Sequence, residues 1–177
     1  MMELRDFSFI HKYFISEKQE SLLFLFLGIA TILLAIVFFF FIKTNPAFYK
    51  GAAIPLVAIG LIQAAVGYTV HARSDKQRID IAYHAGTDPQ FLKRSELPRM
   101  ETVMKNFVAY RYTEIALALV GIVLFVYFRN NAARLFWQGL GLTLAVQALL
   151  MLGADYFAEK RGKTYTSGVE SFIQSDH

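Results

Sequence analysis

The side chains that could do chemistry in this sequence are few, and they lie beside or inside long apolar stretches. Glu114 is the one acid that could lie within such a stretch, where a carboxylate usually has a function. Arg111 precedes it by three residues, a spacing that brings two side chains together on a helix. We therefore expect a solvated ion pair of Glu114 with Arg111 at the edge of the stretch. A functional carboxylate is the alternative.

Two pairs of titratable residues have the i, i+4 spacing that brings side chains together on one helical face. They are His71 with Asp75, and Asp155 with Glu159. Each could serve as an acid/base or metal cluster, but no pair of histidines has a zinc-binding spacing. We expect both pairs to join a charge network with neighbouring basic residues. The expected partners are Arg73, Lys76, Lys160 and Arg161.

Two glutamines, Gln63 and Gln147, are the main polar residues within the apolar stretches. Gln63 shares a helical face with Gly60 and Gly67, and small residues of this kind let helices approach closely. We expect the two glutamines to lie near each other where two helices meet, with a hydrogen bond contributing about 0.6 kcal/mol. A polar step in a permeation path is the alternative.

Other kinds of site have no residues to support them. The sequence contains no cysteine, which excludes disulfides, thiolate metal sites and thiol nucleophiles. It also contains no phosphate-binding loop and no serine nucleophile motif. We predict no catalytic residue, no metal and no cofactor. The net charge of +4 does not indicate nucleic acid, because the basic residues flank apolar stretches and form no basic face.

Four apolar stretches would position these side chains, and each is close to the roughly 20 residues that a membrane-spanning helix needs. They cover 22–42, 51–70, 112–128 and 135–154. The first contains no charged residue and is apolar on every face, unlike a surface helix of a soluble protein. We predict an all-α integral membrane protein with one domain, 1–177. The short connections between stretches predict two antiparallel hairpins.

Apart from the two short connections, which are predicted to face outward, the remaining segments are predicted to be cytoplasmic. Residues 3–14 have apolar positions at helical spacing, which favours an interfacial amphipathic helix. Residues 71–111 are predicted to form a helical loop that breaks between Gly86 and Pro89, because glycine ends helices and proline begins them. The tail, 164–177, is predicted to be loose.

Charge distribution predicts the orientation. Fourteen of the 18 lysines and arginines lie outside the two short connections, and basic residues concentrate on the cytoplasmic side of membrane proteins. We therefore expect a multi-pass protein of the bacterial plasma (inner) membrane with both termini in the cytoplasm.

The two halves of the chain resemble each other. A motif around Phe14 and Gly28 recurs 93 residues later around Phe107 and Gly121, and the sequence Phe48-Tyr49-Lys50-Gly51 is followed 88 residues later by Phe136-Trp137-Gln138-Gly139. Chance similarity between apolar helices is the alternative. A true repeat would relate the halves by an axis along the membrane normal.

Two classes of function remain. The first is a non-catalytic membrane protein that acts by contact with another, unidentified protein, for example an immunity factor against a membrane-acting toxin. The second is a small-solute or ion channel or transporter that works as a homo-oligomer. Membrane lipid is an expected partner of either, and nucleic acid of neither. An enzyme at the inner leaflet that uses His71, Asp75, Asp155 and Glu159 is the remaining alternative.

Overall fold

The computed structural model describes residues 7–175, and within this range it contains five α-helices and no β-strand. The helices are α1 (Ser8–Phe40), α2 (Pro46–Thr87), α3 (Pro89–Phe91), α4 (Leu97–Phe128) and α5 (Leu135–Ser175). A π-helix, Leu92–Glu96, joins α3 to α4, and a 3₁₀ turn, Ala132–Arg134, precedes α5. The prediction of an all-α fold is confirmed.

Four helical segments are long and apolar enough to cross a membrane. They are Ser8–Phe40, Pro46–Thr87, Pro89–Phe128 and Ala132–Gln174. Many of their large side chains face outward, such as Phe26 at 61% exposure and Phe40 at 69%. Contiguous apolar surface of this extent is rare on soluble monomers. These features suggest a multi-pass membrane protein.

The helices pack in the spatial order α1, α2, α5, α4. Extensive contacts join α1 to α2, α2 to α5, and α5 to α4, whereas α1 and α4 scarcely contact each other. The four long helices therefore form a row that curves without closing, and a cleft remains between α1 and α4.

Small residues bring the helices of each outer pair close together. In both pairs a glycine of the first helix lies against a glycine and an alanine of the second. The contacts are Gly28 against Gly60 and Ala64, and Gly121 against Gly141 and Ala145. A Cβ on Gly28 would lie 2.6 Å from the Gly60 carbonyl oxygen, so these backbones touch directly. Close backbone approach through small residues is typical of helix pairs in membranes.

The central contact joins α2 to α5 and is reciprocal. Gly51 lies against the backbone of Phe136, and Gly139 lies against the backbone of Phe48. Gly51 and Gly139 therefore lie at the same level, which here means the same height along the two helices. A residue of α2 at this contact faces the residue of α5 whose number is about 88 higher.

The N-terminal segment differs from its prediction. Residues 3–6 of the expected interfacial helix lie outside the described residues. From Ser8 onward the chain is the first part of α1, without a break before the apolar stretch. Ile10 and Phe14 are buried because they pack against residues of α2 and α5. Their apolar face therefore packs against protein.

The tail prediction for 164–177 is wrong over 164–175, which continue α5 as helix; residues 176–177 lie outside the described range. Tyr165, Val169 and Ile173, spaced four residues apart, are buried against α1 and α2. The helix break lies where expected, since α2 ends at Thr87 and α3 begins at Pro89. Asp88 provides no side-chain cap at this break.

We predict that Gly51→Ala lowers the free energy of unfolding by about 1–3 kcal/mol, because the new methyl group would overlap the Phe136 carbonyl in a packed interface. Thermal unfolding in detergent would measure the loss. The matched control is Gly153→Ala, where no atom lies within 4 Å of the added carbon and alanine favours the helix. Equal stability of the two variants would contradict the central role of this contact.

Candidate functional site

A cavity of about 800 Å³ lies in the cleft between α1 and α4, with α2 and α5 forming its back wall. Most of its lining is apolar, including Phe24, Ile62 and Val66. Cavities of this size and character typically bind small molecules when a few polar groups converge in them.

Glu114 of α4 lines this cavity and is 7% exposed. Its carboxyl group lies close to the carboxyl group of Asp155 on α5, which also lines the cavity. The oxygen Oε2 of Glu114 has no hydrogen-bond partner among the described residues.

The predicted ion pair of Glu114 with Arg111 is wrong. Arg111 forms its ion pair with Glu159 of α5, one helical turn beyond Asp155. Glu114 instead points at α5 because it belongs to a series of buried positions in α4 that are spaced by multiples of seven residues. Met100 and Gly121 are other members of this series. A seven-residue spacing keeps a side chain on the contact between two helices.

Gln63 also lines the cavity and is 5% exposed. Its Nε2 donates a hydrogen bond to Met151 Sδ at 3.0 Å, and its Oε1 has no partner among the described residues. Met151 precedes Asp155 by one turn of α5, a rise of about 6 Å. Gln63 and Glu114, each with one buried oxygen that has no partner among the described residues, thus line one cavity at neighbouring levels.

Gln147 does not meet Gln63 as the sequence predicted. No hydrogen bond between the two amides occurs in the described part of the chain, and Nε2 of Gln147 is buried without a partner. The α2–α5 contact explains this difference, because residues about 88 positions apart face each other there. The residue 88 positions after Gln63 is Met151, and Gln147 lies one turn nearer the start of α5.

His71 and Asp75 join α2 to α1. Asp75 forms ion pairs with Lys18 of α1 and with Arg78 at 3.4 Å, and His71 Nδ1 lies 3.4 Å from the Lys18 carbonyl oxygen. The hydrogen bond from Lys18 lowers the pKa of Asp75. The expected partners Arg73 and Lys76 are therefore replaced by a residue of another helix and by Arg78.

Glu159 has an equivalent role between α5 and α4. Arg111 and, at 2.7 Å, Lys163 form ion pairs with it. Together they lower the pKa of Glu159, with the Arg111 hydrogen bond as the largest cause. Of the other expected basic partners, Arg161 pairs with Glu20 of α1. Among the residues that the structure describes, no group of three or more His, Cys, Asp or Glu residues could hold a metal ion.

A buried polar network near the π-helix was not predicted. Glu96 is 1% exposed and accepts hydrogen bonds from Arg99 at 2.8 and 2.6 Å and from the Tyr165 hydroxyl at 2.7 Å. Tyr13 stacks on Tyr165 with ring centroids 4.2 Å apart. Burial is the largest of the effects that raise the pKa of both tyrosines. Both hydroxyls therefore remain protonated donors.

This network lies next to the charged end of the cavity. Tyr13 lines the cavity and donates to Glu17 Oε1 at 3.2 Å. Ser74 donates to the other oxygen of Glu17, also at 3.2 Å. The four-residue spacing of Tyr165, Val169 and Ile173 was the sequence signal for the burial of Tyr165, but its partner Glu96 is 69 residues away.

Comparisons with protein-family models, with curated proteins and with solved structures give no match for this chain. The chemistry of the cavity is therefore the basis for a functional interpretation.

We predict that Glu96→Ala destabilises the protein by about 2–4 kcal/mol, because it would leave the half-buried Arg99 guanidinium without its counter-charge and the buried Tyr165 hydroxyl without its acceptor. Thermal unfolding of the purified protein would measure this. The control is Glu101→Ala on α4, where the exposed ion pair with Lys105 should contribute little. Similar unfolding temperatures for the two variants would show that the Glu96 network does not stabilise the fold.

Proposed function

We propose that the protein is a multi-pass protein of the bacterial inner membrane, made of two antiparallel hairpins with both termini in the cytoplasm. Contacts within the first helix pair support the hairpin, since Ser21 lies beside Gly67 and Gly28 lies beside Gly60. Residue numbers thus fall along one helix as they rise along the other.

The location of the ion pairs supports the proposed orientation. The pairs Lys18–Asp75, Arg111–Glu159 and Glu20–Arg161 all lie within the long helices, in the parts beyond the apolar stretches that the basic residues assign to the cytoplasm. Interfacial water and lipid phosphates tolerate such charges, whereas the hydrocarbon core does not.

We also propose that the hairpins are a tandem repeat. The glycine contacts of the two pairs support this, because Gly28 and Gly121 are 93 residues apart and meet partners of the same type. Their partners Gly60 and Gly141 are 81 residues apart, in contrast to the separation of 88 at the α2–α5 contact. The glycine contact between α4 and α5 therefore lies about two helical turns nearer to the loop that connects these helices than the glycine contact between α1 and α2 lies to its own loop.

Orientation can be tested directly, since the chain has no native cysteine. We expect Thr44→Cys and Asn130→Cys, in the two short connections, to react in intact cells with a maleimide that cannot cross the inner membrane. Lys93→Cys and Thr164→Cys should react only after the cells are opened. Labelling of Lys93→Cys in intact cells would contradict the proposed orientation.

For the activity itself, we propose that this non-catalytic protein binds a small solute in the cavity between α1 and α4, as a transporter or channel would. The observation that supports this most strongly is that Gln63 and Glu114 both line the cavity, while Gln63 Oε1 and Glu114 Oε2 are buried and have no partner among the described residues. Buried polar atoms are normally hydrogen-bonded, and a bound solute would supply the missing donors. As an oligomer, such a protein could conduct its solute.

The apolar surface favours a second candidate, in which the protein acts by contact with another membrane protein. The sides of α1 and α4 that flank the cleft expose large apolar residues, and a transmembrane helix of a partner could pack there. An immunity factor that captures a membrane-inserted toxin is one form of this hypothesis. A toxin gene next to this one, and death of cells that lose this gene alone, would support that form.

We predict that small amphiphiles raise the unfolding temperature of the protein in lipid nanodiscs. A ligand at 100 times its dissociation constant stabilises a protein by about 2.7 kcal/mol. Val66→Phe should reduce the effect by narrowing the cavity, which Val66 lines. Leu119→Phe, an exposed position of α4 outside the cavity lining, should retain it. If no amphiphile distinguishes the two variants, the solute hypothesis fails and protein contact is favoured.

A further inference from the structure

We propose that the cavity is selective for an organic cation with an apolar body, whose charged group binds at the Glu114–Asp155 pair and Gln63. This inference rests on the proposed function, because it specifies the chemical class of solute that the same cavity takes.

Gln63 and Glu114 both line the cavity, and each has one oxygen without a partner. The amide oxygen of Gln63 accepts hydrogen bonds without donating them, and an ionised Glu114 carboxylate would do the same. Both residues are almost fully buried, and neither oxygen has a partner in the described structure. A ligand that satisfies them must bring donors, and an ammonium or guanidinium group brings several without an acceptor of its own.

The geometry suits one charged group. Gln63 contacts Met151 and Glu114 contacts Asp155, and these two residues of α5 are one helical turn apart. That turn corresponds to a rise of about 6 Å. A single cationic group between the two levels could therefore donate hydrogen bonds to the amide oxygen and to the carboxyl pair together.

The charges around the cavity also favour a cation. Four acids line it, and two basic residues do so: Glu17, Glu20, Glu114 and Asp155 against Arg73 and Arg161. Arg161 forms an ion pair with Glu20, which offsets its charge, although its Nε has no partner among the described residues. Arg73 is exposed at the open end. The inner part of the cavity therefore carries carboxyl groups without a basic residue in contact, and an anionic solute would be repelled there.

The rest of the lining indicates that the cation is organic. Phe24, Ile62 and Leu117 present apolar surface, and Tyr110 and Phe107 offer ring faces of the kind that attract cations. A volume of about 800 Å³ exceeds what a dehydrated metal ion occupies and suits a drug-sized molecule. An inorganic cation would leave this apolar surface without a partner.

Naphthylmethylammonium and naphthoate provide a matched test, because both carry a naphthalene ring and their charges are opposite. Naphthylmethanol serves as the neutral probe. Binding to the full chain in phosphatidylcholine nanodiscs would be measured at equilibrium, with empty nanodiscs subtracted. We expect saturable binding of the ammonium probe, and at least about 10-fold weaker binding of naphthoate.

Four variants assign the selectivity to residues. Glu114→Gln combined with Asp155→Asn should weaken binding of the ammonium probe about 10- to 100-fold, as expected for loss of a charged partner. Gln63→Leu should weaken it about 10-fold. Glu101→Gln, outside the cavity, should bind as the unaltered protein does. The unfolding temperature of each variant shows whether it folds, and Glu114→Asp, which keeps the carboxyl group, should retain part of the binding that the double variant loses.

The outcomes separate this inference from the proposed function. If the neutral probe binds as tightly as the ammonium probe and the double variant changes nothing, the cavity binds solutes but is not cation-selective, and the inference is overturned. If millimolar sodium displaces the ammonium probe at the carboxyl pair, the site belongs to an inorganic cation and the inference is again overturned. If no probe binds and Val66→Phe has no effect, the proposed function itself fails.

Discussion

The contact between α2 and α5 is the constraint on which the rest of the structure depends. Each of these helices also packs against one outer helix, so the two halves of the protein are joined mainly along their length. The contact is close because Gly51 and Gly139 have no side chains to separate the backbones. It fixes the relative levels of the halves, and it thereby sets Met151 opposite Gln63 and places the free glutamine oxygen beside the carboxyl pair.

Much of the fold could be predicted because it is local in the sequence. Uninterrupted apolar stretches define the long helices, and the proline at 89 marks the break between α2 and α3. The side-chain pairs could not be predicted in the same way. Glu96 meets Tyr165 across 69 residues, and Arg111 meets Glu159 across 48. The three-residue spacing favoured an ion pair of Arg111 with Glu114. The packing of α4 against α5 instead places Arg111 beside the carboxylate of Glu159.

The candidate site follows from a difference between two otherwise similar helix pairs. Where α1 packs on α2, the buried seven-residue series continues through Ser21 and Gly28, which let the helices approach. In α4 the position 93 residues after Ser21 is Glu114. A carboxyl group there meets Asp155 instead of a backbone, and the pair lies at the inner wall of the cavity. The sequence showed that Glu114 is unusual, because it is an acid that could lie within an apolar stretch. It could not show that Asp155 is the residue of α5 at the same height.

The open side between α1 and α4 has a mechanical consequence. The two halves are joined along α2 and α5, so a displacement of one half against the other would change the width of the cleft. At one end the stacked rings of Tyr13 and Tyr165 join α1 to α5 within the buried cluster that includes Ile10 and Met100. That end would therefore move least, and the cleft is expected to widen mainly toward its other end.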